Sequence, residues 1–271
     1  MTPANVGLWR AKLKAFAIHL GASIVVFGAV IALLIRLWYP EPYFWIDGGL
    51  FVMTVAAIVD IGLGPSITLA LFRPRDPRMP ATLAGIALIQ FVALGGAVHL
   101  LYQYRPLFVV FIGFPRNEFF PVTQSMLQGA APLPPAVLGK AREHPALVYV
   151  DLPDDPAERR RMLMAGAFGE KTVFQRTERY RAAEGEWRSR MLAEGARSEA
   201  RIEAVFLERA AVVREFVAEH GGSFDPFAFV PLNARYGRGM LVFDRADGRL
   251  VTTLQLETGF RSSTAGTPRP P

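Results

Sequence analysis

The stretch VDIGLGPSITLALF, residues 59–72, decides what kind of chain this is. It belongs to an apolar run from Gly48 to Phe72 whose one charged residue is Asp60, and that acid is followed by Gly62, Gly64 and Pro65. A run of this length is enough to cross a bilayer as a helix, which takes roughly 20 apolar residues. An ionised carboxylate at the centre of such a helix costs roughly 2.5–3.5 kcal/mol. Asp60 must then be protonated, paired or set in a wet cavity.

The neighbouring runs support the membrane reading. No residue between Lys14 and Arg36 is formally charged, and none of Asp, Glu, Lys or Arg occurs between Arg78 and Arg105. Three transmembrane helices are predicted over about 15–37, 48–72 and 80–103, within a membrane domain of residues 1–104. The first run is too long for a signal-peptide core and reads as an uncleaved anchor. It leads into LWYPEPYFW, where Trp38, Tyr39, Tyr43 and Trp45 cluster as an interfacial aromatic belt would.

Composition asks for a second, soluble part. The 271 residues are 51% hydrophobic with mean hydropathy +0.24: too apolar for a soluble chain, too polar for one wholly in lipid. Without cysteine, disulfides, thiol catalysis and cysteine zinc sites are excluded. The net charge of +6 is not a nucleic-acid footprint. Residues 1–104 carry 7 Lys/Arg against 4 Asp/Glu and residues 105–271 carry 23 against 20, so the excess is spread evenly with no basic stripe.

Flanking bases orient the spans. Arg10, Lys12 and Lys14 precede the first, Arg73, Arg75 and Arg78 separate the second from the third, and the loop through Asp47 has neither Lys nor Arg. The N-terminus is expected in the cytoplasm and everything after about residue 104 outside; in a bacterium this is an inner-membrane protein with a periplasmic domain. Arg36 snorkels to the interface.

That domain, residues 105–261, reads as α+β, with helices on an antiparallel sheet. LFVVFIGF, NEFFPV, ALVYV and FAFVPL read as strands, and GMLVFDRADGRLVTTLQL as a hairpin turning at Asp247-Gly248. Asp154 or Asp155 with Pro156 and Glu158 starts a helix. A long amphipathic helix is predicted over about 186–219, with Ile202, Val205, Phe206, Val213, Phe216 and Val217 on one face and Gly221-Gly222 as its stop. Residues 129–145 read as loop, and 262–271 as a disordered tail.

In the membrane, Gln90 sits near the middle of the third span, at the expected depth of Asp60, so the two side chains are expected to meet. Gly62 and Gly64 would let another helix approach. Pro65 frees a backbone carbonyl that Thr68 or a neighbour could satisfy. The arrangement reads as a polar clasp fixing helix packing, as a docking point for a partner's transmembrane helix, or as a proton or ion path. Three spans with one acid make a poor transporter. MAGAFGEKT at 164–172 imitates a phosphate-binding loop, but Glu170 stands where glycine is required. His19, His99, His144 and His220 lack metal-site spacing, and His19 and His99 read as interfacial. No nucleophile motif appears, and no cofactor is implied.

Several motifs resemble the TfpX/TfpZ family of type IV pilin accessory proteins. They are WYP-x-PY at 38–43, D-x-GLGP-x-x-TL-x-LF at 60–72, Q-x-x-AL-x-G at 90–96 and RP leading to V-x-F at 105–111. LPDDPAERRRML near 152–163, FVPLNAR at 229–235 and LVFDRADGRLVTTLQL at 241–256 are similar too. The chain departs from the family pattern in RPRDPRMP after the second span, in RNEFF at 116–120 and in its ETGF ending. The resemblance implies a non-enzymatic inner-membrane factor that binds a type IV pilin subunit and aids its stability or assembly. The alternatives are a membrane-anchored periplasmic ligand-binding or sensor protein, and a pilin-modifying glycosyltransferase.

Overall fold

A computed structural model describes residues 3–140 and 145–258, with side chains from Val6. His144 and the tail expected at 262–271 lie outside the described residues. The chain divides into two compact units, residues 1–38 with 49–103 and residues 39–48 with 104–271. In chain order the first helices are α1 (Pro3–Leu37), the short α2 (Tyr43–Ile46), α3 (Gly49–Ala57), α4 (Gly64–Leu71) and α5 (Met79–Tyr104).

The first unit holds α1, α3, α4 and α5. Between α3 and α4 the chain makes a π-helical turn, Ile58–Leu63, so these elements form one interrupted span. Three helical stretches are long and apolar enough to cross a membrane: Val6–Leu37, Gly49–Leu71 and Met79–Tyr104. Their outward residues are apolar (Val25, Ile89 and Val92 are about two-thirds exposed or more), as lipid-facing surfaces are. α1 packs along α4 and the π turn. It starts well before the apolar run, and Lys12 Nζ donates to the Ala70 carbonyl, 2.9 Å away in the last turn of α4, where a cation suits the helix dipole.

The second unit continues with β1 (Pro106–Ile112), β2 (Glu118–Thr123), α6 (Pro135–Lys140), β3 (Ala146–Val150), α7 (Pro156–Met164), β4 (Tyr180–Ala182), α8 (Gly185–Gly195), α9 (Glu199–Phe206), α10 (Ala211–Glu219), β5 (Phe227–Asn233), β6 (Gly237–Asp244) and β7 (Leu250–Thr258). The strands make one sheet in the order β4-β3-β1-β2-β5-β6-β7.

The sheet is mixed, not antiparallel throughout. β1 pairs parallel with β3 and β2 parallel with β5, whereas β1–β2, β3–β4, β5–β6 and β6–β7 are antiparallel. A parallel pair needs a long crossover, and the helical segments before β3 and before β5 supply it. Short apolar runs do not reveal their pairing direction, so the sequence could not show this.

The predicted helix over 186–219 is three helices. Ser198 accepts from the Arg201 amide and starts α9 anew, and Leu207, at φ 50°, ends it. The expected face survives the breaks: Ile202, Phe206, Val213, Phe216 and Val217 are buried with Phe227, Phe229, Met240 and Val242 in one apolar cluster. Val205 alone of that set is exposed. A second cluster joins Phe108, Val110, Val122, Val148, Met162 and Tyr180. Asp155 caps α7, accepting from the Glu158 amide at 2.8 Å, with Pro156 in the first turn.

Candidate functional site

The π turn explains why an acid, two glycines and a proline follow one another. The Gly64 amide bonds the Val59 carbonyl, five residues back, instead of the Asp60 carbonyl four back. The next amide in that register would come from residue 65, which is proline and has none. The Asp60 carbonyl is therefore left without a helical partner, a state worth several kcal/mol in lipid. Gln90 of α5 resolves it: its Nε2 donates to that carbonyl at 2.8 Å. Gly64 makes the approach possible, because a Cβ there would overlap the Gln90 carboxamide. Gly62 faces open space.

The chain of bonds extends into α1. His19 Nε2 lies 2.7 Å from Gln90 Oε1, and His19 Nδ1 lies 2.6 Å from Thr68 Oγ1. An amide oxygen only accepts, so Nε2 carries the proton. With a neutral ring, Nδ1 then accepts from the Thr68 hydroxyl. One direction of donation runs through the set: Thr68 to His19, His19 to Gln90, Gln90 to the Asp60 carbonyl. The sequence reading set His19 at the interface; the structure joins it to the cluster, tying all three spans together. Its placement follows from α1 beginning at Pro3 rather than near residue 15, which puts His19 near the helix middle.

The Asp60 carboxyl takes no part in this chain. Gln90 meets the main-chain oxygen of Asp60, not its side chain. Asp60 is buried, 5% exposed, and its Oδ1 has no hydrogen-bond partner among the described residues. The residue lines a cavity of about 170 Å³ together with Ala22, Val26, Gln90 and Phe91. His19, Ala22 and Ala87 line both this cavity and a second of about 510 Å³ that takes in Ala11, Ala15 and Thr68. Together they form a lateral groove bordered by α1 and α5, mostly apolar, whose polar lining is this cluster with Ser23 and Lys14.

The four aromatic residues expected at the interface part company. Tyr39 and Tyr43 are buried in the second unit, Trp45 is 36% exposed, and Trp38, in the first unit, meets Tyr102 edge-on at 5.0 Å. Tyr39–Gly48 packs with the sheet, α2 lying against β6 and β7. Its anchor is Asp47, 1% exposed. Arg235 Nε and Nη2 donate to the two Asp47 carboxylate oxygens at 3.0 and 3.1 Å. Nη2 also reaches the Asp47 carbonyl at 2.8 Å and the Tyr104 carbonyl at 3.0 Å. Burial raises the carboxyl above its ordinary pKa, and Arg235 pulls it back. Sequence reading missed this pair because nothing local links residues 188 apart. Among the described residues no group of three or more His, Asp or Glu could hold a metal ion.

Comparison with known proteins bears on the same region. The family model described as fimbrial assembly protein FimB matches residues 7–48, which carry His19, the aromatic segment and Asp47. A fimbrial assembly protein of serogroup E1 from Dichelobacter nodosus is 32% identical over 107 residues, 38% of this chain and 40% of that relative. Over these parts the chain is similar to fimbrial assembly proteins. The chain spans well under two thirds of that relative's length. No solved structure matches it.

Proposed function

We propose that this protein is a non-catalytic accessory factor of type IV pilus biogenesis in the bacterial inner membrane, its N-terminus cytoplasmic and its sheet domain periplasmic. It binds a pilin subunit through that subunit's membrane helix and aids its stability or assembly. The similarity to fimbrial assembly proteins supports the pilus role. The observation that carries the binding step is the groove between α1 and α5, lined by Ala22, Ala87 and an Asp60 carboxyl whose Oδ1 has no partner among the described residues. Small residues let a further helix approach closely, and a carboxyl at membrane depth without a partner favours an incoming helix that brings a polar group. Asp60, Gly62, Gly64, Pro65, Thr68 and Gln90 then divide the work: the last four hold the groove's shape, Gly62 leaves open space for a close approach, and Asp60 meets the occupant.

The test combines deletion with a photo-crosslinker. Deleting the gene and restoring it should lower and then recover surface pilin. Normal total pilin with reduced surface pilin places the protein at assembly; loss of both places it at subunit stability. A photoreactive residue at Ala22 should capture pilin, and Ala87→Phe, which fills the groove, should abolish the crosslink. Unchanged pilin in the deletion strain, or a crosslink indifferent to Ala87→Phe, overturns the proposal.

A further inference from the structure

The sheet domain carries a cavity of about 570 Å³ that the groove proposal does not use. It opens beside the turn after β1 and is walled by Ile112, Phe120, α7 and the segment Thr172–Phe174. Its size is that of a small-ligand site. Phe120 and Phe174 pack against each other at a tilt, their ring centroids 5.9 Å apart, and present one joint aromatic wall. Phe114 and Met164 at the cavity are 65% and 51% exposed, a large apolar outlay for a surface.

Its charge is of one sign. Arg116, Arg159 and Arg160 line it, and no acidic residue does. Arg159 is held in place by bonds from Nε to the Pro153 carbonyl at 2.9 Å and from Nη2 to the Asp154 carbonyl at 3.2 Å. Arg116 and Arg160 make no ion pair among the described residues. Guanidinium groups without carboxylates beside an apolar cavity select an anion joined to an apolar body.

The walls favour a hydrocarbon over a peptide. A bound peptide needs main-chain partners, and the cavity has few to give. Pro115 and Pro156 have no amide hydrogen, and the Thr172 amide and hydroxyl both donate to Gln175 Oε1. We infer that this cavity binds a single acyl chain ending in an anionic headgroup, with the chain against the Phe120–Phe174 pair and Leu163 and the anion at Arg116 and Arg160.

The test uses the full chain in phosphatidylcholine nanodiscs with a diazirine analogue of palmitate, and a diazirine analogue of hexadecanol as the neutral control. The carboxylate probe should label peptides covering 112–120 and 163–174, and the neutral probe only the membrane helices. Unlabelled palmitate or lysophosphatidate should compete, and the stronger competitor identifies a carboxylate or a phosphate as the headgroup. Arg116→Gln with Arg160→Gln, both at exposed side chains, should lower that labelling about tenfold, as loss of two charge-assisted bonds to one anion implies. Met164→Trp should lower it by filling the cavity. Equal labelling by the neutral probe, labelling confined to the spans, or indifference to both variants overturns the inference.

Discussion

Arg235 closes on Asp47 across 188 residues, with both carboxylate oxygens and the Asp47 carbonyl in its reach. The short segment between the first two spans is thereby built into the sheet domain. The Asp47 side chain is wholly buried, whereas the Arg235 side chain keeps 31% exposure. Removing the arginine strands a buried charge, which costs about 3–5 kcal/mol. Arg235→Gln should show that loss in thermal unfolding, with faster hydrogen exchange over residues 39–48. Asp47→Asn in the same background should restore part of it, because no charge is then left unpaired.

The same pair sets a pH dependence. Burial lifts the folded Asp47 carboxyl above its unfolded value of about 3.9, and Arg235 opposes the lift. A raised folded pKa gives stability that is full below the unfolded value and is lost as pH rises through the folded one. In Arg235→Gln the opposing pull is gone, so the folded value rises further and the loss deepens. That variant's deficit against wild type should be smaller at pH 5 than at pH 8. An equal deficit at both would mean Asp47 is not the group responsible.

Gly62 and Gly64 look alike in the sequence and should behave differently. At Gly64 a Cβ would collide with the Gln90 carboxamide, and at Gly62 it would meet nothing. Gly64→Ala should therefore destabilise the full chain in detergent by about 1–3 kcal/mol, read from thermal melting. Gly62→Ala should stay within about 0.5 kcal/mol of wild type. Similar losses at both would point to backbone freedom in the π turn as the requirement.

Three spans and a strand-rich domain were legible because hydrophobic runs and turn residues are local signals. The dipeptide Asp247-Gly248 marked a real hairpin: the Gly248 amide bonds the Asp244 carbonyl at 2.9 Å, and Gly248 takes φ 68°. What escaped was decided at a distance. The three-residue strand β4 is too short to carry a pattern, and Ser198 looked like one more polar residue on a helix face until its side chain took the Arg201 amide. At the candidate site the sequence pointed to Asp60, Pro65 and Gln90, but it set the Gln90 contact on the Asp60 side chain, whereas the bond goes to the main-chain oxygen. That depends on the Gly64 amide choosing Val59 over Asp60.

Tyr149 offers a probe of the sheet domain. Burial, and then the Glu194 carboxylate beside it, push its phenol up to about 12; the hydroxyl donates to Glu194 Oε1 at 3.2 Å. The folded value lies above the unfolded value of about 10. Its contribution is therefore full below pH 10 and lost as pH rises through the folded value. Wild type should lose stability more steeply than Tyr149→Phe as pH rises above about 10. Parallel curves would show that Tyr149 does not limit alkaline stability.

The sharpest test of the site is a cycle between Gln90 and Pro65, because the structure makes one the answer to the other. Gln90→Leu removes the donor and leaves the Asp60 carbonyl buried and unpaired, with a loss of about 1–3 kcal/mol. Pro65→Ala restores an amide five residues after that carbonyl, where the π register can use it, so alone it should change stability little. Combined, the new amide should take over from the lost carboxamide, and the double variant should be more stable than Gln90→Leu by about 1 kcal/mol. Melting of the four proteins in one detergent measures the coupling. Strict additivity would mean that proline is not what leaves the Asp60 carbonyl free, and that Gln90 serves mainly to position His19.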